Sequence, residues 1–398
     1  MNLFDYLDHE LASFDEKPLN PVDSAILSQF CMVRSEGVAP EARSRRREGL
    51  LARPPLDRAA DAWHALRARP ARFSDYLRAE ILDGMFCGLV PERVRELLSR
   101  LVASPRFRDL EVRDYATVFD EGAHVQFSAT SFVWRSRCGR DFSYVGFRGT
   151  DSSFAGWREN FDMAVHPPVP AQDMAVEYLE SVSRHLPGTL YVGGHSKGGN
   201  LATYAALRCD DATRARVSRV FDHDGPGFKP GFVDDAEFAA LDGRIERTVP
   251  QESVVGMLME TPAPTRVVVS DAHGADQHSV FTWQVDGDDF QLADGLAESA
   301  RFAHDVMGEW LASFSPDEAR EVIDATFRAI EASGAKDAAE VLLGGPKSLA
   351  LLVEAAKVMD ERDREVVMPA LGKLAGIASS RAARGVLGAL ARPHRDGE

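Results

Sequence analysis

Apolar positions recur with a helical period at the two ends of the chain and with a strand period in its middle. Leu3, Phe4, Leu7 and Leu11 fall on one face of a helix, and Asp23 stands as a candidate cap ahead of Ile26, Leu27 and Phe30. YLRAEILDGMF continues the helical habit. From about residue 110 the pattern changes. LEVRDYATVFDE, VQFSATSFVWRS and DFSYVGFRGT are rich in Val, Phe, Tyr and Thr, and RCGR between the last two is a turn signal, so a hairpin or meander is expected. After the proline-broken HPPVP, a helix over about 171–185 leads into the strand LYVGG.

Helix and strand then alternate: a helix after Ser196, the strand RVSRVFDHD, a short helix over 234–241, the strand IERTVP, another helical piece and the strand TRVVVSD. Such alternation predicts an α/β fold with a mostly parallel sheet and helices on both faces. From about residue 296 the pattern is helical again, and Ser315 and Glu318 in SPDEAREV have the spacing of a capping box. The expected organisation is a helical region over 1–108 packed on the core, an α/β core over 109–295 and a helical region over 296–398, with no internal repeat.

Composition narrows the function classes. A chain of 398 residues with 44% hydrophobic content can bury a large core. Its formal charge of −16 repels phosphate backbones and anionic membranes, which argues against nucleic acid as a partner. Cys31, Cys87, Cys138 and Cys209 form neither a CxxC nor a Cys/His cluster, so no disulfide framework and no metal site are expected. The N-terminal MNLFDYLDHELASFDEK is acidic where a signal peptide is basic, and no segment offers eighteen uninterrupted apolar residues. A cytoplasmic protein without stable membrane insertion is expected. The charge run over 43–58, with RSRRRE and RPP, reads as a solvated loop.

The chemistry concentrates in Gly194-His195-Ser196-Lys197-Gly198, a G-x-S-x-G sequence between an expected strand and a small-residue helix carrying Gly199, Ala202, Ala205 and Ala206. That is the context of a nucleophile elbow, where a strained turn exposes a serine hydroxyl. Such a hydroxyl needs a base, and the base an orienting carboxylate, in chain order Ser, acid, His. His278, in the loop DAHGADQHSVFTW after the last core strand, suits the base; His273 and His304 compete. Two acids stand at carboxyl ends of strands: Asp224, entering DGPGF, and Glu252, in TVPQESVVGML. Asp224 is favoured because a short acid on a rigid Gly/Pro turn is better fixed, and Asp222 reads as structural. An oxyanion also needs donors, for which the Lys197 backbone N–H and the turn carrying Gly149 and Thr150 after SYVGF are the candidates.

Several separated blocks carry a family resemblance. FDYL, PLNPVDSAILSQF, FRGTD, GGHSKGGNLA, DGPGF, VPQESVVGML and QHSVFTW, spread over roughly residues 1–285, resemble a bacterial family of Mbeg-like α/β-hydrolases. The order FRGT, Trp157, GHSKGGNLA, a strand ending in a Pro/Gly turn and a late His also resembles the fungal-type class-three triacylglycerol lipases. The resemblance implies an α/β-hydrolase fold with Ser196 as nucleophile and His278 as base. Two positions depart from the lipases: Lys197 stands where an apolar residue is usual, and only Glu252 or Ser253 matches their later acid.

Three flanking features complete the reading. The Lys197 side chain either contacts an acidic acyl group or turns away to pair with a surface acid. The stretch 151–171, with Phe154, Trp157 and Phe161, is a candidate wall or lid of an acyl pocket, and the basic tail LGKLAGIASSRAARGVLGALARPHR is expected to pack on the protein. The expected function is a serine hydrolase cleaving a small-molecule ester, lipid or acyl-thioester, needing no cofactor. A hydrolase-like binding module and a serine peptidase are the alternatives.

Overall fold

The computed structural model describes residues 1–42, 69–241, 243–332 and 359–390, with side chains to residue 384; the charge run over 43–58 lies outside the described residues. Seven strands pair in the order in which they occur along the chain: β1 (Glu111–Asp120), β2 (Val125–Trp134), β3 (Phe142–Phe147), β4 (Thr189–His195), β5 (Val217–His223), β6 (Ile245–Pro250) and β7 (Thr265–Val268). The first three are antiparallel, as RCGR and the β-rich pattern predict, and β3 to β7 are parallel. The register sets Gly194 beside Phe147 and Asp222, and His195 beside His223, which in turn faces Thr248. The carboxyl ends of β3, β4, β5 and β6 therefore finish almost level, and the turns that follow them meet. This is an α/β-hydrolase fold.

Both faces of the sheet are covered, each by a different part of the chain. Strands that add in sequential order through crossovers of one hand keep their connecting helices on one side. Here those are α5 (Phe154–Val165), α6 (Pro170–Ser183), α7 (Lys197–Arg208) and the short α8 (Asp211–Arg216). Phe127, Val145, Phe147 and Val192 pack there against Ala175, Leu179, Leu201 and Ala205. The opposite face, with Phe132, Tyr144 and Phe221, is closed by α1 (Leu3–His9), α2 (Pro21–Phe30) and α4 (Pro91–Ala103). Between α2 and α4, YLRAEILDGMF forms only the single turn α3 (Ala79–Leu82). Leu11 lies beyond the end of α1 and is exposed.

Asp23 is not the cap of α2. Asn20 is, with its side chain accepting from the Asp23 N–H at 2.9 Å, while Asp23 occupies the third helical position and accepts from the Asn20 N–H at 3.0 Å. The reciprocal bonds make a capping box, a local device, and burial then adds a non-local partner. The Asp23 carboxylate is buried against Arg106, which donates to its two oxygens at 2.8 and 2.5 Å, and Tyr6 donates to it at 2.9 Å. Arg106 also donates to the carbonyls of Ala12, Lys17 and Pro18, so one guanidinium gathers the whole N-terminal segment. A second buried network joins α2 to the sheet: Ser24 Oγ lies 2.9 Å from Tyr144 Oη and 2.9 Å from His223 Nε2.

The piece expected to be helical after β6 is a series of turns. Its backbone pairs with the turn after β5 through Gly227 N–H to Leu258 O (2.9 Å), Phe228 N–H to Glu260 O (2.7 Å) and Glu260 N–H to Phe228 O (3.0 Å), which replaces helical hydrogen bonding. Past a five-residue α9 (Asp235–Ala239) and the hairpin β8 (Val285–Asp286) and β9 (Asp289–Phe290), three helices follow among the described residues: α10 (Glu298–Ala312), α11 (Pro316–Ala332) and α12 (Glu361–Leu390). Ser315 and Glu318 form the expected capping box. The basic tail is helical to Leu390 and packs on α10 through Arg381, which meets Asp305 at 2.7 Å and Glu309 at 2.8 Å; its last residues lie outside those described. Among the described residues no helix is long and apolar enough to cross a membrane.

Breaking the Arg106–Asp23 pair leaves a buried charge without its counterion, so Arg106→Ala should destabilise the fold by about 3–5 kcal/mol in urea unfolding, whereas replacing both partners with Met and Leu should cost far less. Equal losses would refute this account. His223 is fully enclosed, and burial pushes its imidazole down to about 3. Its folded value lies below the unfolded one of about 6.5, so its contribution is complete above pH 6.5 and is lost as pH falls from there toward 3. His223→Gln should therefore flatten the acid limb of stability against pH by about one proton, measured by unfolding at stepped pH.

Candidate active site

Ser196 follows the last residue of β4 with φ 59° and ψ −132°, left-handed backbone that a residue with a side chain adopts only where packing imposes it. The packing is evident at two glycines. A Cβ on Gly194 would collide with the Gly198 backbone, and one on Gly198 would collide with the carbonyl of Phe147 at the end of β3. Without side chains at these positions, α7 starts directly against β3 and β4 must turn sharply into it. The Ser196 N–H donates to His223 O at 2.9 Å, which holds the bend, and the residue remains half-buried rather than enclosed.

Asp224 leaves the neighbouring strand end, also at positive φ (52°), with its N–H on Thr248 O at 2.8 Å. Its buried carboxylate accepts from His278 Nδ1 at 2.6 Å on one oxygen and from Ser253 Oγ at 2.5 Å on the other. His278 ends the 3₁₀ turn Gly274–His278. Its ring lies against that of His195, centroids 4.5 Å apart, and His195 Nε2 donates to the His278 carbonyl at 2.7 Å. The residue just before Ser196 is thus tied to the residue that carries the imidazole. Burial, with the adjacent His278, holds His195 well below the ordinary histidine range, so it makes this bond as a neutral ring.

Glu252 sits elsewhere in the same loop. Its carboxylate accepts from the Gly274 N–H and, at 3.4 Å, from Gln277 Nε2, while Gln277 Oε1 accepts from the Glu252 N–H at 2.8 Å. The carboxylate brought to His278 is therefore that of Asp224, and Glu252 fastens the base of the His278 loop. His273 precedes the 3₁₀ turn and is exposed. His304 Nδ1 bonds Met257 O at 2.5 Å. Asp222 is buried in an ion pair with Arg247 and accepts from the Gly225 N–H at 2.9 Å.

The turn after β3 passes over the elbow. A Cβ on Gly149 would lie 2.8 Å from His195 O and 3.5 Å from Ser196 Cβ, so the glycine permits this approach. The Thr150 hydroxyl pairs with the side-chain amide of Asn160, 2.8 Å from Nδ2 and 2.9 Å from Oδ1. Lys197 is the first residue of α7, where a backbone N–H has no intrahelical acceptor. Its side chain does pair with an acid, but with a buried one rather than the surface acid expected. It is buried, donating to Gln126 O at 2.7 Å and to the equally buried Glu159. Burial lowers its pKa from the ordinary lysine value, opposed by the Glu159 charge.

The stretch expected to wall or cover an acyl pocket is α5, and Phe154, Trp157 and Phe161 pack against Ala319, Ile323 and Phe327 of α11. Ser196, His278 and Thr150 do not line the cavity of about 540 Å³ that opens beside the 256–262 turns, among Phe228, Phe238, Met257, Met259, Glu260 and His304. Among the described residues no group of His, Cys, Asp and Glu has metal-binding geometry, and the four cysteines are free. Sequence reasoning missed His195, which reads as the spacer of the motif, and Glu159, Asn160 and Gln126, which belong to no motif. Ser253 was visible only as a position beside Glu252.

The family model of the Mbeg1-like proteins matches residues 101–328. Among solved structures, M37 lipase is similar at 16% identity over 42% of this chain and 63% of its own, with a TM-score of 0.32. A Rhizomucor miehei lipase propeptide complex is similar at 17% identity over 50% of this chain and 64% of its own, with a TM-score of 0.31. The lipase of Rhizopus microsporus var. chinensis follows at 16% identity over 66% of this chain and 88% of its own, with a TM-score of 0.26. The chain thus spans less than two thirds of the first two lipases. No curated protein matches the sequence. The family model extends further toward the C-terminus than the sequence resemblance and begins later, at residue 101, and it covers more than half of the chain. The chain belongs to the Mbeg1-like family.

Proposed function

We propose that this protein is a serine hydrolase of the esterase and lipase type, acting through an acyl-enzyme on Ser196. The observation that carries the reading is the bond of 2.6 Å between His278 Nδ1 and the buried Asp224 carboxylate, on a loop that His195 ties to the elbow. An imidazole whose Nδ1–H is committed to a carboxylate presents a basic Nε2, the tautomer required to take a serine proton.

In this mechanism His278 Nε2 removes the Ser196 proton as Oγ attacks the substrate carbonyl carbon. The Asp224 carboxylate stabilises the imidazolium so formed. The backbone N–H groups of Lys197 and Thr150 receive the oxyanion, with Gly149 giving the turn room to approach. The leaving alkoxide or thiolate takes the proton from His278 and departs. Water, deprotonated by the same ring, then attacks the acyl carbon; the acyl–Oγ bond breaks, His278 returns the proton to Ser196 Oγ, and the acid is released. Asp224 is assigned as the acid over Glu252 because it alone reaches His278. Ser253, donating to the other Asp224 oxygen, orients the carboxylate.

A fluorophosphonate should modify Ser196 in the full chain and leave Ser196→Ala untouched. Asp224→Asn should lower kcat on p-nitrophenyl esters about a thousandfold or more by reversing the imidazole tautomer, and Glu252→Gln by less than about tenfold. A wild-type serine inert to the probe would point to a binding module instead, and an amide substrate cleaved in preference to esters would point to a peptidase.

A further inference from the structure

Glu159 and Asn160 are consecutive on α5; Glu159 grips the elbow at Lys197, and Asn160 grips the turn after β3 at Thr150. Glu159 is buried; its Oε2 accepts from the Gln126 N–H at 3.0 Å and pairs with Lys197, and its Oε1 accepts from the Ala171 N–H at 3.0 Å. Asn160 holds the Thr150 hydroxyl at 2.8 Å. The two residues gripped are those whose backbone N–H groups would receive the oxyanion. Gln126 closes the circuit. Its carbonyl accepts from Lys197 Nζ at 2.7 Å, and its side-chain Nε2 donates to the Gly149 carbonyl at 3.3 Å. In a planar trans peptide the C=O and N–H point in opposite directions, so holding the Gly149 carbonyl also aims the Thr150 N–H away from Gln126.

We propose that α5 is a splint for the oxyanion site: Glu159 and Asn160 are positioning residues that set the separation and aim of the Lys197 and Thr150 N–H groups, with Gln126 as the link. This rests on the hydrolase reading above. Lys197 then acts in two ways, as backbone donor to the oxyanion and as side-chain anchor for the helix that carries the other donor's support. It also follows that α5 is a fixed wall. Swinging it outward would separate Lys197 from Glu159 and leave both buried charges unpaired. Catalysis profits from donors that need no reorganisation when the charge develops, and a splint of this kind supplies that rigidity.

The test uses the full chain and four variants: Asn160→Ala, Asn160→Asp, Thr150→Val and the double variant Thr150→Val/Asn160→Ala. Each is measured for thermal unfolding, for kcat and KM on p-nitrophenyl butyrate, and for inhibition by phenylboronic acid, whose tetrahedral serine adduct uses the same donors. Asn160→Ala should lower kcat roughly 10- to 100-fold with KM within about threefold, and weaken the boronate by a similar factor. Asn160→Asp, which can still accept from the Thr150 hydroxyl, should restore most of the loss. The double variant should lose no more than Thr150→Val alone, because both changes remove one bond. A folded Asn160→Ala with kcat within twofold of wild type overturns the proposal, as does a loss in Thr150→Val that Asn160→Ala does not share, since the hydroxyl would then act on the oxyanion directly. If Asn160→Ala does not fold, the near-isosteric Asn160→Leu takes its place under the same criteria: it must share the kcat and boronate losses of Thr150→Val or the proposal falls. A wild-type chain inert to both ester and fluorophosphonate removes the hydrolase reading, and this inference with it.

Discussion

The constraint on which the rest depends is the contact between the start of α7 and the end of β3, possible only because Gly194 and Gly198 lack side chains. A helix that begins so close to the strand beside its own leaves the connecting residue no ordinary backbone conformation. Ser196 therefore carries positive φ, and its side chain stands in the turn rather than in either neighbouring core. The same closeness brings Gly149 to within contact of the elbow. A β-carbon at either glycine would push the helix outward and open the distance between the serine and the turn after β3 together.

Around that contact, buried ion pairs join separate segments of the chain. Lys197 and Glu159 couple α7 to α5; Arg247 and Asp222 couple β6 to β5; Arg106 and Asp23 gather the N-terminal segment. A buried ion pair adds little net stability compared with an apolar replacement, but separating its members is strongly unfavourable. Such pairs therefore act less as glue than as determinants of arrangement: they penalise any packing in which the segments are offset. The neutral His195 and the shared Asp224 carboxylate extend this to the loop bearing His278, whose position is set by bonds to two strand ends rather than by its own sequence.

The N-terminal helices belong to this arrangement. Sequential strand order leaves one sheet face without crossover helices, and the hydroxyls of Ser24 and Tyr144 with His223 tie α2 to that face just below the elbow. His223 lends its carbonyl to the Ser196 N–H, so the network under the sheet and the turn above it share a residue.

The sequence by itself determined what neighbouring residues settle among themselves: the change of period that separates helical ends from an α/β middle, the meander around RCGR, the capping box at Ser315, and the turn at Ser196 between a strand and a small-residue helix. It offered Asp224 and Glu252 as candidate acids, since both follow parallel strands, and favoured Asp224 for its rigid Gly/Pro turn; that Asp224 is the carboxylate that meets His278 depends on how the turns after β5 and β6 pair with each other. Asp23 looked like a cap, but Asn20 caps the helix, and it is Arg106, far along the chain, that pairs with the Asp23 carboxylate. Lys197 looked free to face substrate or solvent, and Glu159 decides otherwise. Only the tertiary structure could assign these side chains, because the direction a polar group takes in the interior is fixed by whichever partner the packing of distant segments brings within reach, and no spacing along the chain encodes that distance.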